Sequence, residues 1–188
     1  MTESASSQGN SSARWASTWP EARLRITRFP SITAQQFFGC TAAFVDSLAG
    51  ELNAAAIALR RLEGQGKGRA FAYEMTLDTH RYGALIVLDR WATLVRAFGP
   101  HLAPAIVEHT PARVAAAETI LARANQLIDA ADAYGSEVVE ACVMAFQTVQ
   151  TTFSEERALA EQNAKLGPML SEDYTSARRI FLEDLAAR

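Results

Sequence analysis

The sequence predicts an all-α protein, an elongated antiparallel helical bundle with one long C-terminal helix and coiled-coil-like packing. Three observations lead there. Apolar and small residues recur at steps of three and four through most of the chain, and no stretch alternates with the period of two that a half-buried strand needs. Alanine is abundant while glycine and proline are sparse, with 10 and 6 copies in 188 residues, a composition that favours helix. The third observation is a seam within residues 111–166. Val114, Ala117, Leu121, Ala124, Ile128, Ala131, Gly135, Val138, Cys142, Ala145 and Val149 follow heptad spacing, the signature of continuous packing along a helix. A chain of 188 residues fits one domain with a real core.

In chain order, residues 1–31 read as a flexible tail. The first dozen are polar and bury too little to order themselves. A basic-aromatic segment follows, with Arg14, Trp15, Trp19, Arg23, Leu24, Arg25, Ile26, Arg28 and Phe29. It either folds back onto the bundle or anchors a partner or interface, where Trp and Arg are enriched. Residues 32–188 form the helical domain. Thr33 and Gln36 have capping-box spacing, with Ile32 placed as a hydrophobic staple. From there Phe37, Phe38, Phe44, Val45, Leu48, Leu52, Ala55, Leu59 and Leu62 are the apolar positions, again at steps of three and four. Three glycines in residues 64–68 form the next turn, which implies antiparallel neighbours. It is not a phosphate loop: a helix precedes it, and Lys67 is followed by Gly68 rather than Ser or Thr.

A second helix spans roughly residues 69–98, with Phe71, Met75, Tyr82, Leu85, Leu88, Trp91, Val95 and Phe98 as its stripe. Gly99-Pro100 is its stop signal, and residues 99–110 read as a linker. Thr110-Pro111 is a strong helix start, because Thr caps free N–H groups and Pro fits the first position. The stretch that follows reads as one long helix or as two meeting at Gly135, and a continuous helix with at most a kink there is expected. At 1.5 Å per residue its ~55 residues would extend ~80 Å, more than helices of about 30 residues cover. The uncovered stripe predicts burial against another chain or an apolar surface. Beyond Gly167-Pro168, a short terminal helix carries Tyr174, Ala177, Ile180, Phe181 and Leu185 on one face.

Composition narrows the function. The net charge is −3 and the pI near 5.7, against the basic face of a nucleic-acid binder. In residues 111–166 eight acidic residues face four basic ones. Cys40 and Cys142 lie on apolar faces and read as buried free thiols. With no disulfide framework and no signal peptide, a cytoplasmic location is expected. No run reaches the ~18 apolar residues of a transmembrane helix.

No chemical signature appears. His80, His101 and His109 have no Glu three residues before them, so no di-iron motif is formed. Gly135-Ser136 lacks nucleophile-elbow spacing. Glu74, Asp78 and Arg81 read as an exposed charge ladder, and Glu155-Glu156-Arg157 as a solvated face. No catalytic residue, metal ligand or cofactor is therefore expected, and the protein reads as a non-enzyme.

Residues 124–138, with Leu127, Ile128, Ala131, Tyr134 and Val138 among alanines and acidic residues, resemble the C-terminal half of phasins. The resemblance is one of texture and covers at most residues 33–166. It implies a protein coating polyhydroxyalkanoate granules, apolar faces on polymer and charged faces in water.

Three functions follow. The first is a non-enzymatic helical surface-binding or scaffold protein, self-associating and coating an apolar surface. Its contacts are expected at Trp15, Trp19, Arg23, Arg25, Val139, Phe146 and Phe153. The second is a helical adaptor or chaperone-type protein docking one protein partner through Trp15, Trp19 and the adjacent arginines. The third is a bundle enzyme or small-ligand binder with a pocket among His80, Tyr82, Trp91 and Tyr134.

Overall fold

Helix formation begins where Thr33 places it. The computed structural model describes Phe29 and residues 31–102, 104–165 and 172–187. The Thr33 hydroxyl accepts from the Gln36 N–H at 3.2 Å, and Gln36 Oε1 accepts from the Thr33 N–H at 2.8 Å. These reciprocal bonds satisfy two N–H groups that the helix leaves open. They start α1 (Ala34–Leu62). Gly64 then takes φ +77°, a left-handed conformation that costs glycine little. After a 3₁₀ turn at Lys67–Arg69 comes α2 (Phe71–Leu102), followed by α3 (Pro104–Ala130), α4 (Ser136–Thr152), α5 (Ser154–Lys165) and α6 (Glu172–Ala186). Among the described residues 89% are helical, in six α-helices and the 3₁₀ turn, and there is no strand.

The first four helices form an up-down-up-down ring in which α1 touches α2 and α4, and α3 touches α2 and α4. Cross-helix pairs fix the antiparallel register: Glu51 with His80, Arg81 with Asn125, Ala124 with Cys142, and Asn53 with Gln150. The core fills from all four. Trp91 is fully buried, stacked on Phe44 with ring centroids 4.6 Å apart and tilted against Phe37 at 5.6 Å. Phe153 meets Phe44 edge-on at 5.0 Å. Such pairs contribute ~0.5–1.5 kcal/mol each beyond area burial.

The long C-terminal helix is not present. It folds into the α3–α4 hairpin, turning through residues 131–135. Most of the seam is inside: Val114, Ala117, Leu121, Ala124, Ile128, Cys142 and Val149 are buried, whereas Ala131, Val138 and Ala145 are half-buried and Gly135 is exposed. Periodicity cannot distinguish one continuous helix from two helices whose phases match across a turn. Tertiary bonds decide it here. The Gly64 N–H donates to the Tyr134 carbonyl at 2.8 Å, the Tyr134 N–H to Gln65 at 3.0 Å, and the Lys67 N–H to Asp132 at 3.3 Å. The turn is thus held by the α1–α2 loop, and the stripe is covered by its own return strand of helix rather than by a second chain.

Two proline signals also misplace boundaries. α2 continues through Pro100 to Leu102, and α3 begins at Pro104 and carries Pro111 in its interior. Thr110 is no cap; its hydroxyl donates to Glu156 at 3.3 Å. Tertiary packing of both helices outweighs the hydrogen bond lost at each internal proline.

The remaining helices cover one flank. α4 ends at Thr152, and after Phe153 the chain resumes as α5, which packs on α1. α6 also lies on α1. Its approach is close enough that a Cβ at Gly39 would collide with the Tyr174 carbonyl oxygen. Tyr174, Ala177, Phe181 and Leu185 are buried there, as the terminal-helix periodicity predicts. By length and composition α1 could cross a membrane, contrary to the sequence expectation. In this fold 44% of that apolar stretch is buried against its neighbours.

Candidate functional site

α6 covers only part of the outer surface of α1 and α2. On α1 it sits over Gly39 and Asp46, where Arg178 pairs with Asp46 at 2.6 Å. On α2 it reaches Arg90, whose Nε lies 3.7 Å from Asp184. Elsewhere on these two helices large apolar side chains are exposed. On α2, Phe71, Met75 and Tyr82 are 72%, 56% and 39% exposed. Their spacing of four and seven residues puts them on one side of the helix. On α1, Ile57 is 54% exposed. The Glu51–His80 contact at 2.7 Å sets the register, and antiparallel travel from it brings Ile57 level with the first turn of α2.

Sequence periodicity assigns Phe71, Met75 and Tyr82 to the core stripe of α2, and the structure corrects this. In that first half the inward face carries Leu77, Arg81 and Ala84 instead, while Leu88, Trp91 and Val95 are buried as the stripe predicts. A buried arginine hides that face from a hydrophobic pattern. Arg81 is 6% exposed. It donates to Asn125 at 2.7 Å and Asp78 at 2.9 Å, and approaches Asp129 at 3.4 Å. The expected charge ladder is therefore a half-buried network. Tyr134 extends it, donating its hydroxyl to Glu74 at 2.6 Å, and Lys67 donates to the Asp129 carbonyl. Desolvation raises the Tyr134 phenol, helped by the Glu74 bond and charge. Asp78 is also raised, by desolvation opposed by Arg81 and reinforced by Asp129 and Glu74.

A second polar cluster joins α3 to α5. Glu156 is fully buried rather than solvated as its acidic neighbourhood suggests. Its Oε1 accepts from Arg113 at 2.9 Å and Thr110 at 3.3 Å. Arg113 also reaches Glu155 at 2.5 Å.

The sequence-predicted contact residues divide. Val139, Phe146 and Phe153 are 1%, 1% and 2% exposed, inside the protein's own core. They do not form an outward surface, because the hairpin turns the late seam onto α1. Trp15, Trp19, Arg23 and Arg25 lie outside the described residues. The pocket expected among His80, Tyr82, Trp91 and Tyr134 does not form: Trp91 is packed between phenylalanines, His80 bonds Glu51, and Tyr134 bonds Glu74.

Cys40 and Cys142 are both buried free thiols. Burial pushes Cys40 up to about 12 and raises Cys142 against the opposing charge of Arg81. Neither holds the thiolate that nucleophilic chemistry requires. Among the described residues no group of three or more His, Cys, Asp or Glu side chains is placed to hold a metal ion. No protein-family model matches the chain, and no curated protein or solved structure matches it either.

Proposed function

We propose that the protein acts without catalysis, as a helical scaffold that attaches to an apolar surface through the uncovered outer face of α1 and α2. The observation that carries this reading is the exposed row Phe71, Met75 and Tyr82, with Ile57 level with its beginning. Single exposed apolar residues are ordinary, whereas several large ones on one flank favour contact with another apolar body. A phasin-like coat on a polyhydroxyalkanoate granule is the form such attachment takes on polymer. The heptad seam gives no support to this, since the protein covers it itself. The support comes from the α2 row, opposite the face that the core uses.

The test is co-sedimentation of the full chain with polyhydroxybutyrate particles, comparing wild type with Ile57→Ser/Phe71→Ser/Met75→Ser. Wild type is expected in the pellet and the triple variant in the supernatant, with helical content in solution unchanged. Wild type remaining in the supernatant, or equal pelleting of both, overturns the proposal.

A further inference from the structure

A groove of about 410 Å³ lies between α2 and α3, near the end where the two helices join. This is the size of a small-ligand cavity. Small side chains explain why it stays open: Ala92 on one wall and Ala115 on the other, above Val95 and Val114. Its charged edge is Asp89 from α2, Glu118 from α3 and the cation Arg96. The two carboxylates are near enough that the charge of Asp89 adds to desolvation in raising Glu118. Among the described residues neither makes an ion pair. The groove therefore presents an apolar floor beside two neighbouring carboxylates and one cation, an edge of net negative charge that favours an apolar side chain followed by cations.

The chain carries a segment of that chemistry. Residues 13–28 contain Trp15 and Trp19 with four arginines, Arg14, Arg23, Arg25 and Arg28, against the single acid Glu21. Its attachment point is close. Phe29 is buried in the core, and Phe37, on the first turn of α1, lies 5.6 Å from Trp91, the neighbour of Ala92. Passing around α2 means crossing one helix, ~10–12 Å wide. The ten residues from Trp19 to Phe29 span up to ~33 Å when extended.

We propose that this N-terminal segment docks in cis across the α2–α3 groove, with Trp19 against Ala92, Val95, Val114 and Ala115, and with Arg23 and Arg25 facing Asp89 and Glu118. The groove lies farther along the same side of α2 than the attachment row, and the two readings are tested by separate variants and readouts.

The experiment attaches a nitroxide to Ser17→Cys in the full chain and follows paramagnetic broadening of backbone amides. Native Cys40 and Cys142 are buried and leave the new thiol as the reactive one. Broadening is expected at residues 89–96 and 110–118, unchanged on dilution. It should be lost in Asp89→Lys/Glu118→Lys, which changes only charge at the groove's edge, while the circular dichroism of the bundle is retained. No broadening at those amides, or broadening concentrated elsewhere, overturns the proposal. So does broadening that fades on dilution, which marks a second copy, or broadening that survives the charge reversal.

Discussion

At its C-terminal end α3 receives a buried cation, Arg81, from α2. At its N-terminal end it sends Arg113 to a buried anion, Glu156, on α5. The two clusters use the same chemical groups and are satisfied to different degrees. Arg81 spreads its donors over Asn125, Asp78 and Asp129, and its two carboxylate partners are 60% and 49% exposed. Those partners keep much of their hydration and can do without it. Glu156 is enclosed, and among the described residues its Oε2 has no hydrogen-bond partner. It depends on Arg113 and Thr110 for all of its compensation. The lesson concerns which partner remains buried when a pair is broken, since an uncompensated interior charge costs far more than a rehydrated surface one.

The largest effect should therefore come from the Glu156 end. Arg113→Ala leaves the carboxylate enclosed without its cation and is expected to lower stability by about 3–5 kcal/mol. Removing both charges should undo most of that loss, with Arg113→Met/Glu156→Leu within ~1 kcal/mol of wild type. Denaturant unfolding of the two variants tests the comparison directly. A double variant as unstable as Arg113→Ala would show that the cluster matters through shape rather than charge.

The Arg81 end should respond less. Arg81→Met keeps much of the side-chain volume, while Asp78 and Asp129 turn to solvent and only Asn125 loses a buried donor. The expected cost is about 1–3 kcal/mol, again by denaturant unfolding. A loss as large as that of Arg113→Ala would erase the proposed difference between the ends.

These clusters also explain how far the sequence could be read. Core positions on α1 and α6 were legible because no buried charge interrupts their periodicity, as with Leu48, Leu52 and Ala55, or Tyr174, Ala177 and Phe181. On α2 the buried position taken by Arg81 shifted the apparent stripe toward Phe71, Met75 and Tyr82, the residues that face outward. The break at residues 131–135 was hidden for another reason. Gly135 sits in heptad register and has φ −70°, so no strained turn residue marks it. What stops the helix is pairing with the loop at residues 64–67, a contact between segments far apart in the chain. Glu156 was unreadable in the same way, because its partner Arg113 lies 43 positions earlier. The outward row was visible as apolar residues, but its exposure depends on where α6 ends.

The smallest effect, and the one most specific to the contrast, is the opposite pH response of the two ends. At the Arg113 end the hydrogen bond from Arg113, followed by its charge, holds Glu155 below its ordinary value of 4.5. A lowered carboxylate contributes stability above that value and loses it as pH falls through the folded-state pKa. At the Arg81 end Asp78 stands above its ordinary 3.8 because desolvation and the charges of Asp129 and Glu74 outweigh Arg81. There the folded protein holds its proton more tightly than the unfolded chain, so stability falls as pH rises from 3.8 through the raised value. Thermal melts of wild type, Glu155→Gln and Asp78→Asn from neutral pH down through the carboxylate range separate the two. Glu155→Gln should lose less stability than wild type on acidification, since the group that must be protonated is gone. Asp78→Asn should lose more, since the group that gains from protonation is gone. Parallel shifts in both variants would mean that the carboxylates answer to the protein's overall charge, and that the two ends of α3 are not electrostatically distinct.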